Sequence, residues 1–226
     1  IDALKLFKIA TEMDPSKEVY WIGYGHTLLN AKFFKQAEIS YRKAIEIKPN
    51  NPQTLNNLGL TLWNLDMLDE AEVILNKAIE LKLNNPYSYL NLGNVLKSQQ
   101  KLDEAEASYR KAIELKSNNP DAYLNLGNVL KSQQKLDEAE VCFRKAIELN
   151  VEYTKAHNNL HILLKENELL SKIKKSKLLN NKTKISFIKK NYTKLADPGL
   201  SLNPNPFTFK REVETELVSN LYKLNT

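Results

Sequence analysis

Cysteine and glycine are scarce in this chain, and it has no long apolar run. Cys142 is the only cysteine among 226 residues. No internal disulfide can form, and a reducing, cytoplasmic setting is expected. No window approaches the roughly 20 apolar residues of a membrane-spanning helix, and no secretory leader is visible. Catalytic groups are equally thin. His157 and His161 stand four apart, as in the H-E-x-x-H zinc motif, but Asn158 replaces the glutamate and a third ligand is missing. Both read as packing or capping residues. Cys142 has no base near it in sequence and reads as a structural thiol. No phosphate loop or nucleotide fingerprint occurs. A catalytic role, a metal and a cofactor are therefore not expected in this stretch.

What glycine there is falls on a beat. Gly25, Gly59, Gly93 and Gly127 stand 34 residues apart without insertion, and His161 takes the next place. Alanines keep the same period at Ala37, Ala71, Ala105 and Ala139, and again at Ala10, Ala44, Ala78, Ala112 and Ala146. The segment from Tyr89 to Glu106 recurs unchanged as Tyr123 to Glu140. Such a period with helical patterning predicts stacked helix–turn–helix units.

The unit from Pro120 to Tyr153 shows why. Proline suits a helix's first turn, where its missing N–H has no partner to lose, and Asn118 and Asn119 supply the turn before it. Tyr123, Leu126, Val129 and Leu130 form an apolar stripe. Ser132 to Lys135 interrupts it as a short turn. Asp137 and Glu138 then suit the positive end of a second helix, which buries Leu136, Ala139, Phe143, Ala146, Ile147 and Leu149. A mid-helix glycine costs about 1 kcal/mol relative to alanine, so its recurrence implies close approach of paired helices. Tyr41, Leu75, Tyr109 and Phe143 are expected to fill the space between neighbouring units.

The residues Trp21, Tyr24, Gly25, Ala37, Tyr41, Ala44 and Pro49 resemble the signature of the tetratricopeptide repeat family. So do Tyr89, Leu92, Gly93, Ala105, Tyr109 and Ala112, with Ser117 where the family often has proline. The resemblance implies an all-α, right-handed superhelical solenoid. Full repeats are expected at 18–51, 52–85, 86–119 and 120–153, with half-repeats at 1–17 and 154–168. A basic helical cap over 169–195 should follow, then a Pro/Asn-rich linker over 196–206. The last segment, 207–226, reads as an amphipathic helix with Val213, Leu217, Leu221 and Leu224 on one face. That face needs cover from the array or from a further domain.

The net charge of +6 is uneven. Residues 165–194 hold ten lysines and two glutamates, a local +8, which leaves −2 for the rest. A basic run can bind polyanions, but aromatics are sparse there and no nucleic-acid fold is recognisable. A solvated cap is the preferred reading.

Candidate function lies on the first helices, which line the concave side of such a stack. Two residues before the glycine position come Asn57, Asn91, Asn125 and Asn159; just after it come Asn94 and Asn128; four after it come Lys97, Lys131 and Lys165. Carboxamides offer donors and an acceptor together. A ladder of them can therefore pair with an extended backbone while the lysines favour acidic side chains. The ladder resembles the repeat region of the O-linked N-acetylglucosamine transferases, which implies peptide binding by Asn57, Asn91, Asn125 and Asn159. The competing reading is that asparagine is simply common at this position of the repeat, where it bonds its own helix or water. Asn94, Asn125 and Lys155 also match positions of the carboxylate clamp of chaperone-binding family members. Leu90 and Asn159, however, stand where that clamp has cations. Trp21 and Trp63 read as core or groove apolar residues.

The expected function is thus a protein–protein scaffold holding an extended, acidic polypeptide. Nucleic acid is disfavoured, no membrane span is expected, and nothing bears on oligomeric state. A second expectation comes from the tail. The chain starts inside a repeat without an initiator methionine, so it reads as part of something longer. Asn205 to Leu224 is similar to the joining region of cyanobacterial repeat proteins that continue into an oxygenase-like domain. On that resemblance the array would be the targeting arm of an enzyme.

Overall fold

The computed structural model describes residues 3–82 and 84–175, with side chains through Leu169. These residues form α1 (Ala3–Met13), α2 (Glu18–Asn30), α3 (Phe34–Ile47), α4 (Pro52–Asn64) and α5 (Leu68–Leu81). They continue as α6 (Pro86–Ser98), α7 (Leu102–Leu115), α8 (Pro120–Ser132), α9 (Leu136–Leu149) and α10 (Thr154–Lys175). No strand occurs among them. The chain divides into two compact units, Ile1–Glu166 and Asn167–Thr226. Of the second, the end of α10 is described. The remainder of the expected basic cap, the linker and the terminal amphipathic helix lie outside the described residues.

In the first unit, α2/α3, α4/α5, α6/α7 and α8/α9 are packed helix pairs joined by short turns. Asn51, Asn85 and Asn119 cap the first helices, each accepting a backbone N–H from the first turn, and Pro52, Pro86 and Pro120 follow directly. The side-chain oxygen of Asn119, for example, accepts from the N–H of Asp121 at 3.0 Å and of Ala122 at 3.4 Å. Such a cap is worth about 1 kcal/mol. The turn inside each pair is a Schellman motif: Lys101 N–H donates to Leu96 O and Gln100 N–H to Lys97 O, and the same pairs recur in the other repeats. Its pivot is a residue with positive φ: Lys32, Asp66, Gln100 and Gln134, at 60° to 63°. Glycine would be the relaxed choice there. The next member of that series, Glu168, lies inside α10, so the helix expected over 154–168 runs on unbroken to Lys175.

The core shows what the period is for. Tyr41, Leu75, Tyr109 and Phe143 are fully buried, and each packs onto the glycine of its own unit. A methyl placed on Gly93 would stand 2.6 Å from Tyr109 Cε1, and one on Gly127 2.6 Å from Phe143 Cε1. Gly25 meets Tyr41 and Gly59 meets Leu75 in the same way. Gly23, which opens the asparagine register without a side chain, is filled by Phe7 of the preceding half-repeat.

Charges on the outer helices also join the repeats. Arg42 bonds Glu38 at 2.9 Å on its own helix and Glu70 of the next repeat at 2.8 Å. Arg110 bonds Glu106 at 2.8 Å and Glu138 at 2.6 Å, while Lys135 reaches Glu106 at 2.7 Å. Glu106 and Arg110 thus belong to a four-residue network with Glu138 and Lys135. Each exposed pair contributes at most about 1 kcal/mol.

Two substitutions should run against ordinary helix propensity. Gly127→Ala is expected to destabilise the array by about 1–3 kcal/mol, because the buried Phe143 ring has nowhere to move. Gln100→Gly should stabilise it by about 0.5–1 kcal/mol by relieving the left-handed turn. Urea titrations followed by circular dichroism would check both; a stabilised Gly127→Ala variant would contradict the packing described.

Candidate functional site

Successive first helices touch one another, α2 with α4, α4 with α6 and α6 with α8, whereas the main contacts of each second helix are with first helices. The first helices therefore form the inner face. On it lie all the sequence-predicted residues, each half-buried: Asn57 on α4, Asn91, Asn94 and Lys97 on α6, Asn125, Asn128 and Lys131 on α8, and Asn159 and Lys165 on α10.

The carboxamides bond to one another across repeats. Asn125 Nδ2 donates to Asn94 Oδ1 at 3.0 Å, and Asn159 Nδ2 to Asn128 Oδ1 at 2.6 Å. In each case the asparagine before one glycine meets the asparagine after the preceding one. Where Leu60 removes that acceptor, Asn91 Nδ2 turns to Asn56 Oδ1 at 3.1 Å instead. Asn57 has His26 at the acceptor position, and its Oδ1 accepts from Gln53 Nε2 at 3.3 Å. Tyr109 hydroxyl adds a second donor to Asn94 Oδ1 at 2.7 Å. In the first repeat, where His26 replaces that asparagine, the Tyr41 hydroxyl lies near Asn57 without a well-formed hydrogen bond. Burial pushes the pKa of both tyrosines up, so they stay neutral donors.

The carboxamides thus bond across repeats rather than along their own helix, with capacity left over. Each bridging asparagine uses one donor of its amide. The second N–H and the Oδ1 of Asn125, and the Nδ2 of Asn94 and Asn128, have no hydrogen-bond partner among the described residues. Fixed by their neighbours, these groups lose little freedom on meeting a ligand.

The three lysines differ. Lys131 is paired in cis with Glu166 of α10 at 2.9 Å, so its charge is not on offer as the sequence reading expected. Lys97 has no anionic partner among the described residues, and desolvation lowers its pKa. Lys165 likewise shows no partner among them. Trp63 holds the corresponding place on α4, its Nε1 donating to Ser98 Oγ at 2.9 Å. Asn94 and Asn125, two of the clamp matches, bond each other, and Lys155 is exposed. Asn56 and Glu166 were not among the sequence candidates. Leu60 in the acceptor position signalled the first; nothing signalled the second.

No group of three or more His, Cys, Asp or Glu that could hold a metal occurs among the described residues, and no helix among them is long and apolar enough to cross a membrane. His157 Nε2 lies 2.7 Å from the Val151 carbonyl, a local cap. Cys142 is buried, and desolvation raises its pKa to about 11.

A helical repeat array with a polar inner face is the class that this geometry defines. A family model described as TPR repeat matches residues 34–66 and 93–134, and models described as tetratricopeptide repeat match 52–85 and 120–153. The chain belongs to the tetratricopeptide repeat family. Among solved structures it is similar to MamA, at 25% identity and a TM-score of 0.60, over 67% of this chain and 89% of that one. YrrB, described as a TPR protein with an unusual peptide-binding site, aligns at 24% identity and a TM-score of 0.58, covering 69% and 80%. The first TPR of Spaghetti (RPAP3), bound to the HSP90 peptide SRMEEVD, aligns at 23% and 0.51, covering 52% and 93%. No curated protein matches the sequence.

Asn125→Ala should cost about 1 kcal/mol of stability, the worth of one hydrogen bond between repeats, as read from a denaturant titration; no change would remove the framework role of the ladder. Cys142 should react with a disulfide reagent at neutral pH only as fast as the array opens, because so little thiolate forms at a pKa near 11. Stopped-flow labelling would check this, and immediate full reaction in the native protein would contradict it.

Proposed function

We propose that this array is a protein-interaction scaffold that holds an extended polypeptide along α4, α6, α8 and the start of α10. The observation that carries this reading is the row of carboxamides on the inner face, locked by Asn125–Asn94 and Asn159–Asn128 bonds, with further donors and acceptors facing no partner. An extended chain presents backbone C=O and N–H groups at regular intervals, which such a row matches whatever the side chains. Peptide recognition in the similarly folded YrrB and RPAP3 supports the reading by analogy. Lys97 and Lys165 would favour acidic side chains, and the Asn57 end, flanked by Leu60 and Trp63, would favour apolar ones.

The test is selection from a random peptide library with the wild type and with the Asn91→Ala, Asn125→Ala, Asn159→Ala triple variant, its helicity checked in parallel. The triple variant should bind the selected peptides at least roughly tenfold more weakly, the loss of about 1.4 kcal/mol. Equal affinities with the same enriched motifs would contradict the reading.

A further inference from the structure

Across the inner face, the residue four past one repeat glycine meets the residue five past the next. Trp63 donates to Ser98 at 2.9 Å, and Lys131 to Glu166 at 3.0 Å. Between these two pairs comes Lys97, whose counterpart in the same register is Ser132. Ser132 Oγ is turned to the Asn128 carbonyl at 3.1 Å, and no carboxylate among the described residues reaches Lys97. Among the described residues, Lys131 thus has an anion opposite it and Lys97 has none.

That omission is not neutral. Lys97 is half-buried, and desolvation pulls its pKa down, so its charge is held where water screens it poorly. An uncompensated cation there costs stability that an incoming anion offsets. One turn earlier on the same face of α6 is Asn94. Its Oδ1 is committed to Tyr109 and Asn125, which leaves its Nδ2 as a donor without a partner among the described residues. Trp63, in the same position on the neighbouring α4, provides an apolar wall.

We propose that Lys97 is the carboxylate subsite of the groove: an Asp or Glu side chain of the bound polypeptide takes the place opposite Lys97 that Glu166 takes opposite Lys131. Lys97 Nζ and Asn94 Nδ2 are its donors. The Lys131–Glu166 pair is the chain's own copy of that contact. This rests on the groove reading above and specifies it.

The test uses the full chain and two random peptide libraries with amidated C-termini, identical except that Asp and Glu in one are Asn and Gln in the other. A third library is neutral with free C-termini. Wild type should retain the acidic library severalfold better than its amide counterpart. Ser132→Glu, which supplies Lys97 with a carboxylate in cis at an exposed position, should abolish that difference while leaving the neutral library bound as before. Lys97→Met should abolish it too, and should raise the thermal midpoint because a desolvated charge is gone. Glu166→Gln should widen the preference for acidic peptides by releasing Lys131. A preference for free C-termini that Ser132→Glu removes, with no acidic preference, moves the contact to the chain end and overturns the side-chain subsite. Equal binding of acidic and amide libraries by wild type, or an acidic preference that survives Ser132→Glu, overturns the subsite and leaves the groove reading standing. Failure to bind any library overturns both.

Discussion

Each repeat closes on one contact: the bare backbone of a first-helix glycine against a buried side chain of the second helix, Tyr41, Leu75, Tyr109 or Phe143 in turn. That contact sets how near the two helices lie. Because it recurs every 34 residues without insertion, each pair leaves the next pair in an equivalent position, and rows of side chains on the inner face come into register. The bonds between Asn125 and Asn94 and between Asn159 and Asn128 need that register, since a carboxamide reaches only one neighbour. Stability in such an array resides in the interfaces between units. The carboxamide bonds on one side and the Arg42 and Arg110 bridges on the other both serve those interfaces, so the face offered to a ligand also holds the stack together.

This double duty gives the inner face its character. Its amides are oriented before any ligand arrives, and its cations are sorted by what the chain itself provides. Lys131 is answered by Glu166 and Lys97 is not. A groove with three equivalent lysines would attract acidic chains along its whole length. On the proposed reading, a groove with Lys131 neutralised in cis would draw them to Lys97 and Lys165.

The architecture was legible because period and helix pattern are local properties of sequence. The alternation of paired helices and the apolar stripes follow from spacing alone. So does the placement of Asn57, Asn91, Asn125 and Asn159 on one face. What spacing does not carry is the identity of partners 31 to 35 residues away. The switch of Asn91 to Asn56, forced by Leu60, and the capture of Lys131 by Glu166 depend on distances between helices. Tyr41 and its equivalents, expected as fillers between units, also close their own units, because the vacancy that a glycine leaves lies opposite its own partner helix. The turns were hidden for another reason. Lys32, Asp66, Gln100 and Gln134 adopt the left-handed conformation without the glycine that would advertise it, and only the missing pivot at Glu168 explains why α10 continues.

The central claim is that the carboxamide-lined inner face receives the partner chain. The direct measurement is the side-chain amide spectrum of the ¹⁵N-asparagine-labelled protein during titration with a selected peptide. Shifts concentrated at Asn91, Asn94, Asn125 and Asn128, with Asn51 and Asn119 at the caps unmoved, are the predicted result. Shifts confined to Asn76 on the outer helix α5 and to the caps, with the inner-face amides silent at saturation, would contradict the account.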